Sequence, residues 1–159
     1  MLYKRWKISV EIKPTGTLHG LASILRGGIG GNHGQYGDKV PGLFFEGSTK
    51  LIVCSAISGN VNLCLYSKKP LPIEKFTKVI IEQKIQSDKK FHFVVTIGGV
   101  EEFNVVNTRP QIFHDVRYTA SDPWHNAAKA QIRNFQLTIK KDCLGKSSEI
   151  ILPTKYWSL

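Results

Sequence analysis

The sequence predicts an all-β domain built as a two-sheet antiparallel β-sandwich, on three observations. The run Phe91 to Asn107, FHFVVTIGGVEEFNVVN, reads as two strands joined at Gly98-Gly99. Both glycines accept the positive φ of a tight primed hairpin turn. Near the start, WKISVEIKPTG alternates strictly: Trp6, Ile8, Val10 and Ile12 point one way, and Arg5, Lys7, Ser9, Glu11 and Lys13 the other. That is the pattern of a half-buried antiparallel strand with a wet outer face. Finally, LIVCSAISGNVNLCLYS reads as a second hairpin with its apolar residues gathered on one face. At 159 residues the chain is long enough to bury its own core as one domain.

The first strand ends at Pro14 and Gly16, and Gly20 to Gly27 is a second short strand. Gly27 to Gly42 holds seven glycines in sixteen residues, which predicts a long surface loop. In the hairpin that follows, a three-residue turn at Ser58-Gly59-Asn60 pairs Ile57 with Val61 and, stepping outward, Cys54 with Cys64. Leu51, Val53, Ile57, Val61, Leu63 and Leu65 make its apolar face, and the cysteines oppose each other on the other face. Directly opposed positions come close enough to bridge, so a Cys54–Cys64 disulfide is expected, with an oxidising compartment. The other reading is two free thiols in a reduced protein. Cys143 is left over, either free or paired between chains.

Phe76 to Ile85 is a further strand, making a three-stranded meander with Phe91 to Asn107. Its hairpin register sets Ile97 opposite Val100 and Phe93 opposite Asn104. Phe113 to Tyr118 reads as a strand, and Asn126 to Lys129 as a helical turn. Residues 130 to 139 fit a strand placed beside the first. The domain is expected to span 1–140, with 141–159 a tail packed on it or a linker; its apolar patch is Ile150 to Leu152, Tyr156 and Trp157.

No apolar run approaches the ~20 residues that span a bilayer. The first ten residues lack the apolar segment of a signal peptide. The protein is therefore cytosolic, or secreted with its signal already removed, and the second is favoured. A formal net charge of +10 predicts attraction to polyanions: sulfated glycans, nucleic acid or anionic lipid heads. The plainer reading is a surface with excess lysine. The pairs Lys68-Lys69, Lys89-Lys90 and Lys140-Lys141 favour an acidic glycan, bound in a salt-sensitive way. No basic stripe with interleaved aromatics points to nucleic acid.

Two loops hold the candidate ligand-binding residues. His33, Gln35, Tyr36 and Asp38 lie in the glycine-rich loop, where they suit hydrogen bonding to sugar hydroxyls and Tyr36 offers a stacking surface; the plainer reading is a flexible connection. Ser121, Asp122, Trp124, His125 and Asn126 form the other. Trp124 either plugs the end of the sandwich, as aromatics in S-D-P-W corners more often do, or presents a stacking platform. Asp38 has the oxygen chemistry of a calcium ligand. Catalytic patterns are missing: there is no GxxxxGK[ST], no GxSxG, and no CxxC or histidine pair for zinc. Glu101 and Glu102 are adjacent, so they point to opposite sheet faces and cannot flank one glycosidic bond.

Several motifs together resemble a known family: W-x-I-x-V-x-I-K-P-T-G at 6–16, Y-G-D-K-V-P at 36–41, C-S-A-I-S-G-N-V-N-L-C at 54–64, the I-G-G-V turn, V-V-N-T-R-P at 105–110 and S-D-P-W-H-N-A-A-K-A-Q-I-R-N at 121–134. They resemble the concanavalin A-like, laminin G-like jelly-roll domains of secreted multidomain proteins from aquatic invertebrates. The resemblance implies a jelly roll, an extracellular location and a binding role. Laminin G-like domains often hold a calcium ion at the rim, which would fall to Asp38 or Asp122. The galectin pair H-x-N-P-R and W-x-x-E, the E-x-D-x-x-E of the superfamily's glucanases and the pentraxin signature cysteines are all absent from the sequence. The expectation is a non-catalytic, extracellular carbohydrate-binding (lectin-like) module that uses its rim loops and favours acidic glycans. The alternative is a structural or adhesive extracellular-matrix module that binds protein partners or self-assembles.

Overall fold

The computed structural model describes residues 1–140, and the backbone of the strand segments 149–153 and 157–158. The strands in chain order are β1 (Arg5–Pro14), β2 (Leu21–Gly28), β3 (Gly42–Glu46), β4 (Lys50–Ile57), β5 (Asn60–Pro70), β6 (Thr77–Ile85), β7 (Phe91–Ile97), β8 (Val100–Val106), β9 (Arg117–Ala120), β10 (Asn126–Ala127), β11 (Ala130–Lys140), β12 (Glu149–Pro153) and β13 (Trp157–Ser158). Seven form one sheet in the order β12-β11-β1-β6-β7-β8, with β13 also on β11. Six form the other in the order β10-β2-β3-β4-β5, with β9 also on β2. The two sheets stack as a jelly-roll β-sandwich, and there is no helix among the described residues. Cys143 lies outside the described residues, as do the side chains of the apolar patch in the tail. Within the tail, Glu149–Pro153 pairs with β11 and so extends the larger sheet.

The core follows the alternation in β1. Trp6, Ile8, Val10 and Ile12 are buried and join Ile24, Leu25, Leu43, Leu51 and Val53 of the smaller sheet in one cluster. Bulges alter the simple period elsewhere. In β11, Ala130 and Ile132 face the core, and so do Phe135, Leu137 and Ile139. Asn134 takes φ 52, and the register against β1 shifts between Ser9 and Glu11. The extra residue turns the second half of the strand over, so both apolar sets point inward.

The central hairpin shows the same device. Its turn at Gly98-Gly99 and its Ile97–Val100 pair are as expected. A bulge between Val95 and Thr96 then sets Phe93 opposite Val105, not Asn104. The extra residue on β8 is Glu102, whose carboxylate accepts the Lys68 N–H of β5 at 3.0 Å. In the β4–β5 hairpin the turn has two residues, not three, and Ile57 pairs with Asn60. Ser58 and Gly59 both have positive φ (53° and 88°), as a type I′ turn needs. A bulge between Ser55 and Ile57 restores the Cys54–Cys64 pairing, and the disulfide is formed.

Two local expectations are corrected. Phe113 is not in a strand with Tyr118; it bridges to Leu2 alone, because Asp115 at φ 54 breaks the run and the strand begins at Arg117. Asn126 and Ala127 form no helical turn; they pair parallel to Ala22 and Ser23 as β10.

Buried Asn107 clips one end of the two sheets together. Its Oδ1 accepts the Ser58 N–H at 2.8 Å, and its Nδ2 donates to Gln83 Oε1 at 2.6 Å. With Glu102 at the other end, the β5 and β8 edges are held to each other twice.

Candidate ligand-binding site

The glycine-rich loop is not a slack connection. Asp38, 2% exposed, is its hub: its carboxylate accepts the Gly31 N–H at 3.1 Å and the Gln35 N–H at 2.8 Å. The glycines make room for this hub. A Cβ on Gly31 would lie 2.5 Å from the Asp38 carboxylate, and one on Gly28 would lie 2.0 Å from its carbonyl oxygen. Arg26, on the outer face of β2, donates to the Asp38 carbonyl at 3.0 Å and to the Gly31 carbonyl. Tyr36 ties the loop to its neighbour. Its hydroxyl donates to the Arg109 carbonyl at 3.0 Å, and its ring packs against Phe113 at 5.8 Å.

The second loop is organised in the same way. The Asp122 side chain is fully buried, and its Oδ1 accepts the N–H groups of Trp124 and His125, each at 2.9 Å. The His125 ring donates from Nδ1 to the same carboxylate at 2.9 Å. Burial alone would push the Asp122 carboxyl up. The bonds from His125 and the Trp124 N–H outweigh it and hold the group below its ordinary range.

The loops meet on the outer face of the smaller sheet, over Arg26, Lys39 and Phe44. The Arg26 guanidinium lies 4.7 Å from the Trp124 ring centre. Lys39 Nζ lies 4.9 Å from the Phe44 ring, and His125 meets that ring edge-on at 5.3 Å. Gly42 leaves the space they need: a Cβ there would come within 2.8 Å of Phe44. Lys39 is 3% exposed and Arg26 7%. Burial lowers the pKa of both, and the charges of Asp122 and Asp38 oppose that shift in each case. Two buried cations are thus balanced by two carboxylates. Each cation–π contact adds ~1–2 kcal/mol in such a desolvated setting.

The structure brings some of the sequence-derived residues together and separates others. Trp124 keeps 43% of its surface exposed, so it does not plug the sandwich. His33 and Gln35 are exposed on the first loop; Asn126 is exposed and His125 half-buried on the second. One face of Tyr36 is occupied by Phe113. Asp38 and Asp122 fit a cation poorly. Their oxygens already receive N–H groups, and Arg26 and Lys39 carry positive charge beside both. Among the described residues, no three of His, Cys, Asp and Glu are grouped to hold a metal. The lysine pairs lie apart. Lys68 and Lys69 are at the Glu102 end of the β5 edge, and Lys89 and Lys90 are by Asn107 at the other, about 17 Å away along β8.

Sequence reasoning missed Arg26, Lys39 and Phe44. The available signal was an arginine in an apolar strand directly before a glycine-rich loop.

No family model matches the chain, and no curated relative does. Among solved structures it is similar to the receptor-binding domain of botulinum neurotoxin type G, with a TM-score of 0.57 and 13% identity over 84% of this chain and 34% of that one. It is also similar to a heptameric SAP-like pentraxin from Limulus polyphemus, with a TM-score of 0.50 and 10% identity over 85% of this chain and 64% of that one. The chain therefore spans about a third of the toxin domain's length and under two thirds of the pentraxin's. What these likenesses establish is the fold, a jelly-roll sandwich.

Proposed function

We propose that this chain is a non-catalytic carbohydrate-binding module that takes its ligand at the meeting of the two loops, without a metal ion. The supporting observation is Trp124. Its indole is 43% exposed, yet Arg26 beneath it and Asp122 behind it fix its orientation. A preset aromatic face costs little entropy when a sugar ring stacks on it. His33, Gln35, His125 and Asn126 supply polar groups in the same two loops. A catalytic pair of carboxylates is not supported at this site, because Asp38 and Asp122 each accept backbone N–H groups. Glu101 and Glu102 are engaged elsewhere, by Asn104 and by the Lys68 N–H. The Cys54–Cys64 disulfide supports an oxidising, extracellular setting, as the laminin G-like resemblance implies.

A glycan array tests this, run with and without chelator and at low and high salt. The expected result is selective binding that survives both chelator and moderate salt and is lost in Trp124→Ala. An array with no bound glycan would overturn the reading. Self-association in its place would favour a structural matrix module.

A further inference from the structure

Two aromatic side chains stand exposed on the outer face of the smaller sheet. One is Trp124, over Arg26 of β2. The other is Tyr66 of β5, 56% exposed, which the loop site does not use. Alternation fixes its direction. Leu65 pairs with Val53 and packs on the core, so Tyr66 projects outward, like Cys64 two residues before it. The strand registers set Tyr66 in line with Ile52, Phe44 and Ser23, one rung across β5, β4, β3 and β2. The Trp124 loop sits at the β2 side of this rung, where the His125 ring meets Phe44 edge-on. Neighbouring strands lie ~4.8 Å apart, so three spacings separate the ends of the rung by about 14 Å. On the same face the Cys54–Cys64 disulfide ties β4 to β5 beside the Ile52–Tyr66 pair. The two rings are thus carried at a set separation on one rigid sheet.

We infer that this face takes a stretch of extended polysaccharide, with one sugar ring stacked on Trp124 and another on Tyr66. The chemistry that fits is an uncharged chain of β-linked, equatorially substituted pyranoses, as in cellulose or chitin. The inference rests on the glycan reading of the loop site and extends it across the sheet. A pyranose with equatorial substituents shows C–H bonds on its two faces, and these settle on the electron-rich face of an aromatic ring. One sugar ring cannot touch two platforms about 14 Å apart, whereas a short oligosaccharide in an extended linkage can. Between the platforms the cations are balanced. Arg26 and Lys39 are 7% and 3% exposed, beside Asp38 and Asp122. A single-stranded nucleic acid needs a positively charged groove for its phosphates along with the stacking rings, so it fits this face less well. A protein partner would bury an apolar centre, but Phe44, Ile52 and Cys54 between the platforms are at most 4% exposed.

The test titrates cello- and chito-oligosaccharides, from the disaccharide to the hexasaccharide, into the wild type, Tyr66→Ala, Tyr66→Phe and Trp124→Ala, with single-stranded oligothymidylate as a further probe. At least one of the two sugar series binds the wild type, and its hexasaccharide binds about ten-fold more tightly than its disaccharide. Tyr66→Ala brings the hexasaccharide down to the affinity of the disaccharide, Tyr66→Phe keeps the gain, and Trp124→Ala loses binding at every length. Nuclear magnetic resonance of the wild type provides a check that needs no variant: the hexasaccharide shifts the Tyr66 ring signals and the disaccharide does not. Equal hexasaccharide affinity in Tyr66→Ala and the wild type overturns the inference and leaves the loop site standing. So does a wild type that binds neither series but binds another glycan on the array. Tighter binding of the oligothymidylate than of either hexasaccharide also overturns it. Failure of the loop reading shows differently: no glycan on the array binds, or Trp124→Ala binds the disaccharide as the wild type does.

Discussion

Arg26 on the smaller sheet and Lys39 in the loop over it are 7% and 3% exposed, whereas Lys7 and Lys140 on the larger sheet stand in solvent. Both sets lie on outer faces of the same sandwich. On the smaller sheet two loops fold over the cations and bring Asp38 and Asp122 to balance them, with aromatic rings against each. On the larger sheet, Lys7 and Lys140 project from the strands themselves and are exposed. The first arrangement stores rigidity and presets Trp124. The second leaves its charges in solvent, where salt screens them.

The contrast is broken most directly by removing Asp122. Asp122→Ala leaves buried Arg26 and Lys39 short of one counter-charge and two backbone N–H groups without an acceptor, so it costs about 3 kcal/mol in urea unfolding. Lys7→Gln, by comparison, changes stability by under ~0.5 kcal/mol. A cost below ~1 kcal/mol for Asp122→Ala would mean that the loops are not locked. The disulfide comes next. It closes a short loop on the same outer face, and its removal by Cys54→Ala/Cys64→Ala costs about 2–3 kcal/mol.

Acid sharpens the difference between the faces. The Asp122 carboxyl is held below its ordinary value of 3.8. Its contribution is therefore complete above that value and is lost as pH falls through the folded-state pKa. Unfolding midpoints followed below pH 4 should drop less steeply in Asp122→Asn than in the wild type; identical slopes would remove the carboxylate from the account. A smaller effect on stability than that of the disulfide is expected at Trp124. Trp124→Ala should cost about 1–2 kcal/mol, the cation–π contact with Arg26, while glycan binding is lost.

Much of the fold was legible because alternation is a local signal. The β1 face, the Gly98-Gly99 turn and the cysteine pairing all follow from period-two reasoning. Bulges were not legible. At Asn134 and Glu102 one extra residue reverses the faces; at Asn134 the partner strand, β1, is far along the chain, and at Glu102 the bulge sits inside a hairpin whose alternation gives no local sign of it. The β4–β5 turn shows the same limit, since a two-residue turn and a bulge reach the same cysteine register as a three-residue turn. In the site, Trp124 and Asp122 stood out as an aromatic and a carboxylate beside a proline. Arg26 and Lys39 did not, because a charged residue on a strand's outer face or in a surface loop is normally wet. Their burial is produced by the two loops that close over them.

Nuclear magnetic resonance separates the two faces in one titration, using the indole and lysine side-chain signals and whichever glycan binds most tightly on the array. The account predicts that the Trp124 indole shifts while buried Trp6 does not, and that high salt leaves the shift in place. A silent Trp124 with shifts confined to lysine side chains would contradict it.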